Sequence, residues 1–374
     1  MKDKVVLEDD IQNNNVYDVV IIGAGASGLS AAKLLEEYNK SYIILEASER
    51  YGGRMKKLEN FSDFPIDLGA EWIHHELDLF KDLTRNDSFD VSEYTITYNP
   101  KELYLTNSQS LEDMSYLAEE YEEYKFKNIT WFDFFEKFMI TNSIRDSIKL
   151  NSPVTSINYS SDNVLIKTAN GEEYYSRKVL VTVPISVLQK EYIEFSPKFS
   201  NKRVEALQKF NFSPGFKAFL KFSDKFYPDL VEFESSEQVN SYEEKTFYDA
   251  TFNKQSQDNV LGVLVVGSYY EKYEGMNETE IIDTLISEID VLSDGLGSEY
   301  FEEGVVQYWS GIKYIEGTYV TNSDELGVYL ATDTIREPID DKIYFSGSAY
   351  HVDYQGTVSG ATLSAYAAVD EMYG

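Results

Sequence analysis

Three glycines near the N-terminus have the spacing that lets a backbone loop hold a diphosphate. They follow the apolar run 19–22 directly, and a helical period of apolar residues begins at Leu29. In G-x-G-x-x-G spacing the first glycine permits a tight turn, the second lets backbone approach a pyrophosphate, and the third lets helix pack on strand. The N-terminal amides of the helix then face the phosphate oxygens. The residues predicted to form this loop are Gly23, Gly25, Ala26, Ser27 and Gly28.

An acidic residue stands where a ribose-binding carboxylate is expected. A second apolar run, 42–45, ends at Glu46, eighteen positions after Gly28. In dinucleotide-binding βαβ units, a carboxylate about 20 residues beyond the loop hydrogen-bonds the ribose hydroxyls. The order strand, loop, helix, strand and acid therefore predicts a dinucleotide site, whereas the glycine spacing alone would also suit a structural turn.

The residues that follow the acid resemble a known family. Segment 46–54, EASERYGGR, is similar to the E-x-x-x-R-x-G-G-R motif of the flavin amine oxidase family, and this resemblance implies FAD. Two glycines allow close backbone approach, and two of the chain's seven arginines lie here, where they can neutralise diphosphate charge. An exposed basic turn is the alternative. The resemblance adds Ala47, Arg50, Gly53 and Arg54 to the expected cofactor contacts.

A second segment resembles the part of the family that runs under the flavin ring. Residues 67–74, DLGAEWIH, match the family pattern D-L-G-A-x-W-I-H. The resemblance also implies that His74 faces the substrate, although a histidine beside a tryptophan equally suits a half-buried structural role. The residues implied to lie near the isoalloxazine are Gly69, Ala70, Glu71 and Trp72.

The C-terminal region carries a third resemblance. Residues 342–350 and 355–368 are similar to the family segments F-A-G-E-A-T and G-T-V-x-G-A-x-x-S-G-x-x-A-A. The resemblance implies a strand ending beside the ribityl chain, then a small-residue helix whose N-terminus stabilises negative charge on the flavin. Ser348 replaces the family's glutamate, which should weaken one cofactor contact. The implied contacts are Gly347, Ser348, Thr357 and Val358, with the backbone of Val154 meeting the adenine.

Further residues are implied to line the reacting centre. Lys217 resembles the family lysine that holds a water at flavin N5 and assists reaction with oxygen; a surface lysine is the alternative. Trp309 and Tyr319 match the tryptophan and the first of two tyrosines beside the flavin in monoamine oxidases. Thr357 takes the second tyrosine's place, which resembles polyamine or histone-tail amine oxidases more closely. Thr318 stands where covalent members carry a cysteine, so non-covalent FAD is expected.

These resemblances imply an FAD-dependent amine oxidase that acts on a di- or polyamine. Hydride would pass from the carbon next to the nitrogen to flavin N5, water would hydrolyse the imine, and oxygen would reoxidise the flavin to give peroxide. No Ser-His-Asp spacing or metal-ligand cluster is visible in the sequence, so neither a nucleophile nor a metal is expected. A desaturase or porphyrinogen-type oxidase is one alternative. A non-catalytic FAD-binding scaffold is another, prompted by Ser348 and a short cap region.

Composition bears on partners and location. The 374 residues carry a formal net charge of −32, which disfavours nucleic acid and anionic membranes and would attract a cation, although solubility or salt adaptation explains it equally. No apolar run predicts a membrane span, and the start MKDKVVLEDDIQNNN reads as a polar tail rather than a signal peptide. The absence of cysteine excludes disulfides. Cytoplasm is the default location, and the sequence predicts no oligomeric state.

The length favours two domains, and the strand and helix patterns together with the resemblance imply an α/β fold with a Rossmann-like FAD-binding domain and a substrate domain of mixed sheet plus helices. Without a visible linker, the chain should pass between them several times. Residues 79–145, including the acidic stretch 111–124, are expected to be mostly helical and to form a shortened cap. Other expected elements are helices at 201–210 and 278–292 and strands at 216–222, 260–266 and 304–309. The expected FAD-binding domain comprises 16–78, 145–190 and 335–374, and the substrate domain comprises 79–144 and 191–334.

Overall fold

The computed structural model describes residues 16–234, 243–321 and 325–374; the expected polar tail at 1–15 lies outside these ranges. The strands are β1 (Val16–Ile22), β2 (Tyr42–Leu45), β3 (Lys57–Leu58), β4 (Ile66–Asp67), β5 (Trp72–Ile73), β6 (Thr95–Tyr98), β7 (Leu103–Thr106), β8 (Leu111–Asp113), β9 (Glu123–Phe126), β10 (Ile148–Lys149), β11 (Val154–Asn158), β12 (Val164–Thr168), β13 (Glu173–Val181), β14 (Glu194–Ser196), β15 (Asn211–Phe212), β16 (Gly215–Phe222), β17 (Leu230–Phe233), β18 (Glu243–Asp249), β19 (Asn259–Gly267), β20 (Phe301–Tyr308), β21 (Val320–Thr321) and β22 (Ile343–Phe345). The α-helices are α1 (Ala26–Glu37), α2 (Leu79–Thr84), α3 (Trp131–Phe138), α4 (Asn142–Asp146), α5 (Ile185–Gln189), α6 (Asn201–Leu207), α7 (Glu278–Ser293), α8 (Leu296–Tyr300), α9 (Glu325–Arg336) and α10 (Val358–Tyr373).

The first sheet is built around β1. Its strand order is β10-β2-β1-β13-β12-β11-β14, and β22 also pairs with β13. β1 pairs in parallel with β2 and β13, so β1, α1 and β2 form the βαβ unit that the glycine spacing predicts. Val19, Val20 and Ile21 are fully buried because helices cover both faces of this sheet, as is typical of parallel strands.

The second sheet has the order β20-β16-β19-β18-β17-β7-β8. Side chains alternate between the two faces of a strand. On β16, Phe216 and Leu220 therefore pack toward α7, while Phe219 packs toward the segment around Leu68. Lys217 shares the face of Phe219 and is turned toward that same segment. The expected strands at 216–222, 260–266 and 304–309 are confirmed as β16, β19 and β20, and the expected helices as α6 and α7.

The region 79–145 is less helical than expected, and the prediction of a mostly helical cap is wrong. Besides α2, α3 and α4, it contains strands β6 to β9 and a 3-10 helix at Ser115–Glu120. β9 pairs with β5 and β6, and β7 joins the second sheet through β17. These cross-strand contacts outweigh the local helical pattern, because strand formation depends mainly on neighbouring strands.

Three elements from the range expected in the substrate domain pack on the first sheet instead. β14 pairs in parallel with β11, and helices α6 and α9 contribute Leu207 and Ala331 to the core on one face of this sheet. The division into domains at the stated residues stays a prediction. Among the helices in the described ranges, none combines the length and apolarity needed to cross a membrane.

Candidate active site

The turn between β1 and α1 leaves open space where a diphosphate is expected. Gly23 has a φ of +105°, and an added Cβ would meet Thr182 Oγ1 at 2.9 Å. A Cβ on Gly28 would lie 2.0 Å from the Gly23 carbonyl oxygen, so the helix requires glycine there. A Cβ on Gly25 would meet no atom within 4 Å, and this N-cap residue supplies no side-chain cap to α1. Open space in front of helix-end amides fits a pyrophosphate.

The acid after β2 is held at the edge of this turn. Glu46 Oε2 accepts a hydrogen bond of 2.7 Å from the Ala24 amide. The Ser152 amide donates to the Glu46 carbonyl at 2.8 Å, which brings the start of β11 next to the acid. The strand that carries Val154, predicted for adenine, thus begins two residues after a direct contact of Glu46, predicted for ribose, while the cofactor contact of Ala47 stays a prediction.

The arginine motif packs against the glycine loop. A Cβ on Gly53 would lie 3.2 Å from Gly25 Cα. The Arg50 guanidinium donates to the carbonyls of Tyr51, Gly53 and Met55 at 3.1, 2.5 and 3.2 Å. Arg50 therefore shapes its own turn in this structure, and its contact with a diphosphate stays a prediction.

Arg54 joins distant parts of the chain. Its guanidinium donates to the Thr318 carbonyl at 2.7 Å and to Ser348 Oγ at 2.9 Å. Burial lowers the pKa of Arg54 to about 10. A second contact, 2.7 Å between Ser27 Oγ and Ser346 Oγ, also ties the N-terminal loop to the C-terminal strand. The position where this chain departs from the family glutamate is thus occupied by a hydrogen-bond acceptor for Arg54.

The C-terminal helix begins at the same place. Thr357 caps α10, because its side chain accepts a hydrogen bond of 3.0 Å from the Gly360 amide. The Gly347 amide donates to Ser364 Oγ at 3.0 Å, which fixes the end of β22 against α10. The predicted contacts Gly347, Thr357 and Val358 therefore lie at the two ends of the segment that joins β22 to α10.

The segment expected under the flavin ring is close-packed. A Cβ on Gly69 would lie 1.8 Å from the Arg54 carbonyl oxygen and 3.0 Å from Trp309 Cζ2. The buried Trp309 donates from Nε1 to the Leu68 carbonyl at 3.0 Å. The Ala70 amide donates to the Arg54 carbonyl at 3.3 Å. Only glycine fits here, and the tryptophan lies against the backbone that the resemblance places beside the flavin.

Lys217 reaches this segment from β16. Its buried Nζ donates to the carbonyls of Asp67 and Gly69, at 3.1 Å each, and to the Glu71 carboxylate. The surface-lysine alternative is thereby excluded, because the side chain is only 3% exposed.

A second buried lysine was not anticipated from the sequence. Lys125 Nζ lies 2.5 Å from Glu71 Oε1, and the Tyr248 hydroxyl donates to Glu71 Oε2 at 2.5 Å. Burial alone would raise the pKa of Glu71, but the charges of Lys125 and Lys217 outweigh it and hold that pKa below its ordinary value. Lys125 pairs with Trp72 across β9 and β5. The alternation of polar and apolar residues at 123–126 is a strand pattern that could have indicated it, but the helical prediction for 79–145 covered this segment.

Tyr319 lies at the opposite side of the turn before α10. A Cβ on Gly356 would lie 3.8 Å from Tyr319 Cβ. The Tyr319 hydroxyl donates to Glu244 Oε2 at 2.5 Å. The register across β18, β19 and β16 puts Glu244 on the same sheet face as Lys217. Glu244 is a second side chain that sequence reasoning missed, and no motif marked it.

His74 is exposed, with its Nδ1 3.0 Å from Glu123 Oε1. Burial and the charges of Glu123, Glu232 and Glu244 raise the pKa of Tyr121, so these three carboxylates lie close enough to its hydroxyl to act on it and form an acidic rim. His74 therefore joins an acidic rim and not the buried Lys217 cluster. Its predicted contact with substrate stays a prediction.

Comparison with protein families gives two matches. Residues 138–373 match the family model of flavin containing amine oxidoreductases, and residues 21–85 match that of NAD(P)-binding Rossmann-like domains. Polyamine oxidase 1 of Zea mays is 25% identical over 92% of this chain and 88% of that protein. Lysine-specific histone demethylase 2 of Homo sapiens is 23% identical over 97% of this chain and 54% of that protein.

Solved structures share the fold. Putrescine oxidase with bound putrescine has a TM-score of 0.76 at 14% identity, covering 96% of this chain and 99% of that one. Cyclohexylamine oxidase from Brevibacterium oxydans IH-35A has a TM-score of 0.77 at 15% identity, with the same coverage. The predicted two-domain α/β fold class and the FAD cofactor are confirmed. Because the amine oxidoreductase model spans more than half of the sequence, the chain belongs to the flavin-containing amine oxidoreductase family.

Proposed function

We propose that this FAD-dependent amine oxidoreductase oxidises a di- or polyamine and uses oxygen as electron acceptor. Bound FAD would supply the acceptor for the hydride that leaves the carbon next to the amine nitrogen; water would hydrolyse the imine to an aldehyde and ammonia or the released amine, and oxygen would be reduced to hydrogen peroxide. The observation that carries the proposal is the convergence of the two cofactor motifs with Lys217. Arg54 binds Thr318 and Ser348, while Lys217 binds the carbonyl of Gly69.

The proposed cofactor contacts follow from the fit of the glycine turn. The α1 N-terminus binds the diphosphate, and Arg54 adds positive charge beside it. Glu46 binds the ribose hydroxyls through carboxylate oxygens already oriented by the Ala24 amide. The α10 N-terminus, at Thr357 and Val358, would stabilise negative charge on the pyrimidine ring of the bound flavin.

The proposed catalytic residues bind and orient rather than react covalently. Trp309 and Tyr319 present aromatic faces that steer the neutral amine, and their bulk excludes water. Lys217 would supply positive charge near the flavin for the reaction with oxygen. Its three N–H donors are engaged by Asp67, Gly69 and Glu71, so a water at flavin N5 would have to replace one of these acceptors. Non-covalent FAD agrees with Thr318, whose hydroxyl donates to the Ser213 carbonyl at 3.0 Å.

The acidic rim supports an amine with a second positive charge. Glu123, Glu232 and Glu244 all act electrostatically on Tyr121, and Glu244 also binds Tyr319. A carboxylate such as Glu244 beside the amine site favours a substrate with a second ammonium group. Opposite charges within a few ångströms attract strongly where solvent exposure is low. The polyamine oxidase similarity supports the same substrate class.

Two alternatives make different predictions. A desaturase or porphyrinogen-type oxidase would bind FAD but would not be reduced by amines, and family membership favours amine chemistry over it. A non-catalytic scaffold would also keep FAD oxidised in the presence of every amine. Anaerobic reduction of the bound flavin by an amine therefore separates the proposal from both.

Replacing Glu244 tests the substrate class. Glu244→Gln should raise KM for putrescine and spermidine about tenfold, the equivalent of about 1.4 kcal/mol, because a carboxylate that faces the second ammonium is lost. KM for benzylamine, which has one nitrogen, should change less than about twofold. Peroxide release measures both.

Glu59→Gln is the matched control, since Glu59 is an exposed carboxylate 2.9 Å from Lys57. It should leave both KM values unchanged. Equal changes for putrescine and benzylamine in Glu244→Gln would contradict the diamine proposal.

A further inference from the structure

We propose that Glu71 and Lys125 form a positioning pair that holds Lys217 in place as an ammonium ion beside the flavin. Neither residue touches the reacting atoms in this scheme, so they act through Lys217. The inference rests on the proposed role of Lys217 in the reaction with oxygen, and it adds a buried partner from β9.

The geometry places one carboxylate between two ammonium groups. Glu71 is 7% exposed, Lys217 3% and Lys125 1%. Lys125 Nζ contacts one carboxylate oxygen of Glu71, while Lys217 and the Tyr248 hydroxyl contact the other. A buried charge without a partner costs several kcal/mol, so these contacts are mutually dependent.

The three charges come from three separate parts of the fold. Lys217 lies on β16 of the second sheet, Lys125 on β9, and Glu71 just before β5. Lys125 Nζ also lies 4.6 Å from the ring centres of both Trp72 and Tyr248. Aromatic faces attract a desolvated cation, which compensates part of the hydration that Lys125 loses.

Other charged groups near the cluster affect the charges of its members. Burial and the charge of Glu71 raise the pKa of Asp67 well above its usual value, which favours its neutral form. Burial and then the charge of Lys125 lower the pKa of Lys254 to about 7. Asp249 acts on Lys125 from β18. Glu71 is thus the carboxylate in direct contact with both buried ammonium groups.

Removing the Glu71 charge would leave two ammonium groups facing each other at low dielectric. One of them would then release its proton at a lower pH than before, because like charges and burial both disfavour the charged form. The positioning role requires this loss to fall at least in part on Lys217, since a proton lost from Lys125 alone would leave Lys217 charged. Removing Lys125 as well should return much of the proton affinity to Lys217.

Loss of the Lys217 charge should affect the reoxidation of the reduced flavin by oxygen. Reduction of O2 to hydrogen peroxide needs two electrons and two protons; the bound reduced cofactor, FADH⁻, would supply both electrons and one proton, and solvent would supply the other proton. Negative charge develops on oxygen during this reaction, and a nearby cation stabilises it. A deprotonated Lys217 would therefore slow reoxidation.

The kinetic test uses holoenzyme that is reduced photochemically and then mixed with aerated buffer between about pH 6 and about pH 10. Lys217→Met should slow reoxidation at least about tenfold. Glu71→Gln should shift the pH profile so that reoxidation at the alkaline end of this range is about tenfold slower than in wild type. Glu71→Gln combined with Lys125→Met should recover at least half of that shift.

Because no amine is used, this result does not depend on the substrate assignment. Tyr248→Phe is the matched control, since it removes a hydrogen bond to Glu71 but no charge. It should leave the pH profile in place. A wild-type profile in Glu71→Gln, with reoxidation slow in Lys217→Met, would overturn the positioning role alone. Unchanged reoxidation in Lys217→Met would overturn both the proposed role of Lys217 and this inference.

A second measurement needs no flavin. The apoprotein of Glu71→Gln should melt at a lower temperature than wild type, because two buried ammonium groups lose their partner. The added Lys125→Met should restore much of the loss. Absence of any recovery in the double variant would overturn the pairing of Glu71 with Lys125.

Discussion

Lys254, a single residue at the edge of the charged cluster, makes the stability of this fold depend on pH. Its ammonium lies 4.1 Å from the ring centre of Phe64. Burial, with the charge of Lys125 added, lowers its pKa from 10.5 to about 7, although Glu71 opposes the shift. The folded chain therefore binds fewer protons at this site than the unfolded chain between these two pH values.

Lys254→Met should remove this pH dependence. The cost of Lys254 is fully present below about pH 7 and disappears as pH rises toward 10.5. Below about pH 7 the variant should therefore be more stable than wild type, and this difference in the free energy of unfolding should shrink by about 1 to 3 kcal/mol as pH rises to 10.5. The change is smaller than the pKa shift alone implies, because the side chain is partly exposed. Urea unfolding of the apoprotein at stepped pH measures it. Lys209→Met, at an exposed lysine, is the control. If the difference in free energy of unfolding from wild type stays constant with pH in both variants, the lowered pKa of Lys254 is contradicted.

At the scale of elements, the β1–α1 turn separates what folding requires from what the cofactor requires. A Cβ on Gly28 would meet the Gly23 carbonyl oxygen at 2.0 Å, whereas a Cβ on Gly25 would meet nothing within 4 Å. Gly25 has a φ of −81°, which any residue adopts. The two glycines therefore serve different purposes within one loop.

Alanine at these two positions should have contrasting effects. Gly28→Ala should destabilise the apoprotein by about 1 to 3 kcal/mol and also weaken FAD binding, because the loop must move. Gly25→Ala should leave the apoprotein melting temperature within a few degrees of wild type but weaken FAD binding at least about tenfold, since its methyl group enters the space proposed for the diphosphate. Thermal melts and FAD titration measure both. Wild-type FAD affinity in Gly25→Ala would place the diphosphate elsewhere.

The elements that local patterns specify are the ones the sequence predicts correctly. The apolar run before Gly23, the period of α1 and the small residues of α10 are short-range signals, and each gives the observed element. Residues 111–124 are different, because β9 exists through pairing with β5 and β6, which are distant in sequence, while β8 forms a hairpin with β7. Strand pairing of this kind is a property of the whole sheet.

The same limit applies to the candidate site. Motifs locate Arg54 and Lys217, but no motif locates Lys125 or Glu244, which reach the site from strands β9 and β18. The partners of Glu71 depend on three elements meeting in space. Ser348 shows the converse, since a departure from the family pattern still supplies an acceptor for Arg54.

At the scale of the molecule, the glycine loop with α1 and the C-terminal segment with α10 meet around one proposed cofactor site. Ser27 contacts Ser346, and Ser30 Oγ donates to Thr362 Oγ1 at 3.2 Å between α1 and α10. The second sheet presents Lys217 to the same place. The net charge of −32 would raise the local concentration of a polycationic substrate, an effect that salt screens.

The most direct measurement of the central claim is anaerobic mixing of the purified FAD-loaded protein with putrescine, spermidine, benzylamine and tyramine. The account predicts that putrescine or spermidine bleaches the visible flavin band faster than benzylamine or tyramine, and that air restores the band with release of hydrogen peroxide. Bound FAD that none of these amines reduces would contradict it.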